Sequence, residues 1–482
     1  MSEEKKTGRD ASVVAKAGLW YTICNFLFRG MAFITTPIFT RLMSKAELGS
    51  FSNFSSWAAI LLVVTAFDFS QSVIRSKLEH EDDMDCYIWS ILSLSTLWTL
   101  VVYGVFCLFP AFFADFLQIE TKYIHLMFLY LFTAPAYSML ITKHRAFYRY
   151  KTFVLLTGVM TVSGTLLSLL MVILMQDKLA GRLYGYYIPH IVIGAVVFVL
   201  LVARGKKIKT EYWKYACIIC LPLVPHELSL FMLSASDKII ITRLCGAEYN
   251  AIYSVAYSAY HIATILFDSM NKAFAPWLLE SLHHENYKAI KKTSKVYIGV
   301  FVALIVGVLA LAPEIIWILG GKQYAGAVNC LPPLIASCVI QLIYRMYVNI
   351  EFYEKKTIGV AMATIIAAIV NIILNFILIP LDLEHGYVIA SYTTLIGYMI
   401  LFVLHYFMVK RMKMDHVYDI GFILRILLGT FVFAGIMNAL YGLNAIIRYV
   451  FVLIYGAAVL LVGYRNKDVI LGLFKKKKKE SD

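Results

Sequence analysis

Five charged side chains stand inside runs of sequence that are otherwise apolar: Arg29, Lys272 and Arg345 on the basic side, Asp68 and Asp268 on the acidic side. A charge at the centre of a membrane-spanning helix costs at least about 2.5 kcal/mol, so each must mark a paired contact or a wet, functional surface. Their polar neighbours recur at helical spacing. Gly18, Thr22, Asn25 and Arg29 share one side of a helix. Ser254, Ser258, His261, Asp268 and Lys272 share another. Gln341, Arg345 and Asn349 form a third stripe, and Asn371 with Asn375 a fourth. A polar stripe on an apolar helix faces a cavity or a partner helix rather than lipid. With more cations than carboxylates, such a cavity suits an anionic ligand, because a guanidinium grips phosphate oxygens two at a time. Structural alternatives stay open. Arg29 could cap a neighbour or pair with Asp68. Asp268 and Lys272 could neutralise each other as an i,i+4 pair. The asparagines could hold helices together.

A second group lies nearer helix ends. Pro222, Pro225, His226 and Glu227 interrupt the seventh apolar run, where prolines three apart release backbone groups and bend a spanning helix. Asp237 and Lys238 stand near that helix's outer end, as a gate pair or an interfacial one. The substrate-cavity candidates are therefore Arg29, Asn25, Lys272, Asp268, His261, Arg345, Asn371 and Asn375. The gate or coupling candidates are Asp68, Asp237, Lys238 and Glu227. No catalytic constellation and no metal spacing accompany them. Cys217 and Cys220 form a lone CxxC at the start of an apolar run, read as small buried residues. No GxxxxGK[ST] loop occurs, so no ATPase is built in, and no cofactor is expected.

The elements that must position these groups follow from composition. The chain is 60% hydrophobic and only 15% charged, against about 25% charged in soluble domains. Runs of roughly 20 apolar residues recur throughout, each able to cross a bilayer as a helix. The expected fold is an all-α membrane protein with about fourteen spans, at 17–40, 52–74, 87–109, 123–142, 153–175, 184–203, 215–241, 250–275, 296–319, 327–350, 358–380, 387–409, 420–441 and 446–464. With the N-terminus inside, about 31 basic residues fall in inner segments and about 9 in outer ones, which puts both termini in the cytoplasm. The net charge of +14 and the Lys475–Lys479 tail are read as topology and lipid-surface features rather than a nucleic-acid site. The polar N-terminal segment reads as retained rather than as a cleaved signal.

The chain also repeats itself. Thr40-Arg41-Leu42 recurs as Thr242-Arg243-Leu244, Phe51-Ser52 as Tyr253-Ser254, and Ser56 as Ser258. A long-period match of this kind marks duplication, and duplicated halves are a common transporter plan with the substrate held at their interface. The expected layout is an N-lobe over 1–203, a cytoplasmic linker over 204–214, a C-lobe over 215–409, and a final helix pair with a basic tail over 410–482. The two lobes would surround a central cavity.

Three stretches carry a family resemblance. They are Pro37-Ile38-Phe39-Thr40-Arg41-Leu42 with Glu47-Leu48-Gly49-Ser50-Phe51, then Asp237-Lys238-Ile239-Ile240-Ile241 with Gly246 and Ala251-Ile252-Tyr253-Ser254-Val255-Ala256, and finally Pro276-Trp277. The chain resembles the Wzx-type flippases of polysaccharide export, in the MOP superfamily that also holds the lipid II flippase and the MATE exporters. The resemblance implies alternating access and no enzymatic step. It implies an undecaprenyl-diphosphate-linked oligosaccharide, such as an O-antigen unit, as cargo. Membrane lipids, a coupling H+ or Na+ and a glycan polymerase are the implied partners, and the bacterial cytoplasmic membrane the implied location. Arg29 and Lys272 match the places where the lipid II branch keeps basic residues for pyrophosphate. Gly30 departs from that branch, which has an acid there, and this argues against lipid II itself. The other readings are an ion-coupled MATE-like multidrug exporter with Asp68 as its acid, a lipid II flippase, and a membrane enzyme such as a glycan polymerase or ligase, which the short outer loops disfavour.

Overall fold

The computed structural model describes residues 11–442 and 445–465; the Lys475–Lys479 tail lies outside them. The described residues are helical from end to end, with no strand among them. The main helices are α1 (Ala11–Leu42), α2 (Lys45–Ala66), α3 (Met84–Leu108), α4 (Thr121–Ala146), α5 (Tyr150–Leu174) and α6 (Lys178–Gly205). There follow α7, in two pieces (Thr210–Cys220 and Val224–Leu244), α8 (Ala247–His283), α9 (Tyr287–Ala310), α10 (Leu331–Tyr353), α11 (Thr357–Leu378), α12 (Gly386–Arg411), α13 (Ile420–Leu440) and α14 (Ala445–Arg465). Among the described residues, ten helices are long and apolar enough to cross a membrane, and the bent α7 pair makes eleven. The chain is a multi-pass membrane protein, and each expected span falls on one of these fourteen elements.

Local chemistry explains where the helices differ from the apolar runs. The run at 52–74 is not one helix: α2 begins earlier and stops at Ala66, because Phe67 and Asp68 both take left-handed backbone, with φ of 49° and 48°. Its start is set by Ser44 and Glu47, which cap each other's backbone N–H groups; such a cap contributes about 1 kcal/mol. The two pieces of α7 meet at 54°, at the break before Pro225. The run at 296–319 also breaks, into α9 and a short helix Ala312–Gly320 that opens with a proline in its first turn.

By its internal contacts the chain forms two compact units, residues 1–254 with 375–387, and residues 255–374 with 388–482. In the first unit, α2 lies along the second piece of α7. Here the duplicated stretches touch. Ser52 and Ser254, which correspond in the repeat, share a hydrogen bond of 2.7 Å. Corresponding positions of the repeat therefore face each other across this seam. Beside it Asn250 donates to the Gly49 carbonyl at 2.9 Å and to Thr242 at 2.8 Å. The segment after α6 is fastened to the start of α3: Lys209 meets Asp83 at 2.5 Å and Trp213 donates to the Ser90 carbonyl at 2.6 Å.

In the second unit α10 is the central element. Every residue from Leu331 to Glu351 is buried except Arg345 and Asn349. The turn before α13 is held by Asp419, which takes Lys295 at 2.5 Å and the Phe422 N–H at 3.0 Å. Both contacts hold its carboxyl below the usual carboxylate range. Their contribution is therefore present at neutral pH and is lost as the pH falls through that lowered value.

Gly49 marks the tightest approach in the seam. A Cβ there would lie 1.7 Å from the Ala247 carbonyl oxygen. Gly49→Ala should destabilise the protein by about 1–3 kcal/mol, as overpacking does. Gly104→Ala, whose Cβ meets nothing within 4 Å, should leave the melting temperature of the detergent-solubilised protein unchanged or raise it.

Candidate functional site

The second unit brings two of the polar stripes together. Gln341 of α10 donates to the Tyr260 hydroxyl of α8. One turn on, Arg345 Nη1 donates to Asp268 Oδ1 at 3.3 Å. A turn further, Asn349 Nδ2 donates to Asn271 Oδ1 at 3.3 Å. The residue numbers of the partners rise together, so α8 and α10 run parallel along the stripe, as two even-numbered spans must. The guanidinium carbon of Arg345 also lies 4.6 Å from the centre of the Phe267 ring, an attractive arrangement for a cation.

Asp268 reaches across to the neighbouring helix. Its ion pair runs across helices to Arg345, with the two side chains 29% and 38% exposed. Lys272, one turn beyond, is exposed and makes no ion pair among the described residues. The stripe thus carries two cations against one carboxylate. Part of that charge is reachable from outside the packed interior, although the other residues of α10 from Leu331 to Glu351 are buried. Chemically it can receive an anion, with Arg345 held in place by Asp268 and Phe267.

The other candidates fall in several places. His261 is exposed on α8, beside Tyr257 and Thr264. Asn371 and Asn375 are fully buried on α11. In the first unit Asn375 Nδ2 donates to Asp237 Oδ1 at 2.7 Å, and the Tyr253 hydroxyl donates to Asp237 Oδ2 at 2.7 Å. All three side chains are fully buried, so Asp237 is an interior node rather than an interfacial charge. Lys238 follows it, half-buried. Asp68 stands in the turn after α2 and accepts from Ser70 at 3.0 Å. Glu227 stands just past the bend in α7, half-buried. The side chains of Asn25 and Arg29 lie outside the described residues.

Some functional-looking groups escaped sequence reasoning. Tyr260 and Asn271 complete the stripe, but their role shows only once α10 is laid beside α8. Arg182 falls between the expected spans 153–175 and 184–203. It is instead inside α6, whose N-cap is Asp177, and its guanidinium carbon is 3.5 Å from the centre of the Phe39 ring and 4.4 Å from that of Phe51. The Asp177 cap was the signal that the helix begins earlier. Glu351 and His405 meet at 2.8 Å with both side chains fully buried. Glu351 stands one residue past its expected span, where a charge reads as interfacial.

Comparisons with known proteins agree with this architecture. The profile of the family described as "Polysaccharide biosynthesis protein" matches residues 14–282, more than half of the 482-residue chain. Among solved structures, the lipid II flippase MurJ in an inward closed conformation superposes with a TM-score of 0.69 at 14% identity, over 94% of this chain and 100% of that one. An inward-facing multidrug resistance MATE family transporter of the MOP superfamily gives 0.60 at 14% identity, over 81% and 95%. A MOP superfamily transporter from Pyrococcus furiosus Vc1 gives 0.52 at 15% identity, over 86% and 99%. At such identities the likeness establishes the fold. No curated protein matches the chain.

The Asp268–Arg345 contact can be measured as a coupling. Asp268→Asn and Arg345→Gln should each lower the melting temperature, and the double variant should lose less than the sum of the two. A partly exposed pair of this kind contributes up to about 1 kcal/mol. Strict additivity in thermal melts would show that the pair is not made.

Proposed function

The chain belongs to the polysaccharide biosynthesis protein family, and from that premise we propose that it is a flippase for a lipid-linked oligosaccharide. Its cargo is an undecaprenyl-diphosphate-linked glycan, carried across the bacterial cytoplasmic membrane for surface polysaccharide assembly. The observation that carries this reading is the exposure pattern of α10, which opens only at Arg345 and Asn349 within Leu331–Glu351. A cationic opening in an otherwise sealed helix fits a diphosphate far better than a cationic drug.

The roles follow from the chemistry. Arg29, Lys272 and Arg345 draw the diphosphate oxygens. Asp268 keeps Arg345 extended until the anion competes for it. His261, Asn25, Asn371 and Asn375 are the neutral contacts for sugar or for neighbouring helices. Asp68, Glu227, Asp237 and Lys238 form the gating set, with the bend in α7 as the point where the helix yields. The glycan rides in water while the polyprenyl tail stays in lipid, and the carrier opens in turn to each side. No bond of the cargo is made or broken. In this reading both termini lie in the cytoplasm, with repeats over 1–203 and 215–409 around the 204–214 linker and a closing segment at 410–482. A glycan polymerase on the outer side would consume the product.

In cells that need this chain for a surface glycan, Arg29→Ala and Lys272→Ala should each cut surface glycan at least about ten-fold, the loss expected when one charge-assisted phosphate contact is removed. Protein in the membrane should stay at the normal level. Unchanged glycan in both variants would remove the cationic cavity from the mechanism.

A further inference from the structure

Glu351 on α10 and His405 on α12 are the most deeply placed acid and base in the second unit. Both side chains are 0% exposed, and His405 Nδ1 lies 2.8 Å from Glu351 Oε1. Their outer atoms are the unusual part. Glu351 Oε2 and His405 Nε2 are buried and make no hydrogen bond. A structural pair kept only to join two helices would be expected to have these atoms satisfied, because an unmade bond on a buried charged group is costly. The imidazole is fixed in orientation by Tyr344, whose ring stacks on it at 5.6 Å and 14°. Tyr344 stacks on Tyr398 in turn, at 6.1 Å and 18°.

We propose that Glu351 and His405 form an exchangeable proton-binding site, with His405 Nε2 as the atom that takes and gives the proton. The 2.8 Å contact already places one hydrogen between Nδ1 and Oε1. With Nε2 bare the pair carries one negative charge. With Nε2 protonated it is neutral overall. The step is a transfer from hydronium to Nε2, which forms an N–H bond and leaves water, and its reverse returns the proton to water. The neutral form suits the sealed state seen here, since a lone buried carboxylate would have no counter-charge. Release needs water at Nε2 and Oε2, and therefore a conformation in which α10 and α12 part at this end.

The surroundings leave the pair to itself. Tyr344, Tyr347, Tyr398 and Tyr406 are the titratable groups beside it on its own two helices, and Tyr297 on α9 and Tyr418 before α13 are phenols as well. The charged groups of the packed elements have other partners or lie in solvent. Arg345 holds Asp268, Lys295 holds Asp419, and Arg425 donates to the Gly421 carbonyl of its own helix. Lys272, Glu354, Lys410 and Arg411 are exposed, and Asp415 stands on the turn after α12. Glu351 stands six residues from Arg345 on one rigid helix, about 9 Å along its axis. Proton loading therefore changes the charge next to the anion stripe, and any effect of the proton on anion binding is matched by an equal effect of the anion on the proton. Its use as the ion that drives transport rests on the flippase reading; the proton site itself does not.

The test uses the full-length protein in detergent and infrared difference spectra between an acidic and an alkaline solution. The expected result is a paired carboxylate and imidazole signal in the unaltered protein. That signal should be lost in Glu351→Gln and in His405→Gln, and shifted but kept in Glu351→Asp. A spectrum without that pair of signals, or one unchanged by Glu351→Gln, would overturn the proposal and leave a static bridge. No cargo is needed for this readout. If the infrared signal is present while Arg29→Ala and Lys272→Ala leave glycan intact, the proton site stands and the cargo assignment falls. If those variants lose glycan while the infrared signal is absent, the proton site alone falls.

Discussion

Hydrocarbon offers an ion no partner, and that constraint organises this protein. Every charge that the chain keeps at membrane depth must be paired, solvated or exchanged. In the second unit the polar positions of one helix are met in different ways. Along α10, Arg345 is paired with Asp268 and yet remains partly open. Asn349 stands open a turn away, and Glu351 is sealed with His405. The other residues from Leu331 to Glu351 are buried and mostly apolar. A helix buried this thoroughly contributes little to contact with lipid. Its few polar positions therefore tell more about function than the larger number on peripheral helices.

The first unit rests on a different economy of contact. The repeated stretches meet through Ser52 and Ser254, with Gly49 pressed on the Ala247 carbonyl and Asn250 bridging to Gly49 and Thr242. These are small or amide-bearing residues, which let helices approach closely and satisfy each other where water is absent. Duplication supplies the reason: a surface that must face its own copy is best built from residues that are self-complementary. The buried Asp237 node continues the same seam. An amide and a phenol donate to its two carboxylate oxygens.

Much of this was legible before any coordinates. Helix positions followed from apolar runs, although α2 starts earlier than its run, at a Ser44-Glu47 cap that hydropathy alone does not show. The bend in α7 followed from Pro222 and Pro225. The stripes on α8 and α10 were visible because helical spacing is a property of one segment. What joins segments was not visible. Gln341 meets Tyr260 and Arg345 meets Asp268 across about 80 positions of chain, and Asn375 meets Asp237 across 138. Nothing in a single sequence encodes such pairings. The break after Ala66 was missed for a local reason, since Phe67 is not a residue that advertises left-handed backbone. Glu351 was missed because a carboxylate at the edge of an apolar run looks solvated until a histidine 54 positions away is found against it.

The central claim is that the stripe shared by α8 and α10 is wet. Thiol accessibility measures this most directly. With Asn349→Cys placed in otherwise intact membranes, a charged maleimide that does not cross lipid should label the new thiol, and inorganic pyrophosphate should slow the labelling. A thiol at 349 that stays unreactive from both sides of the membrane, while a thiol introduced at exposed Lys272 reacts, would contradict the account.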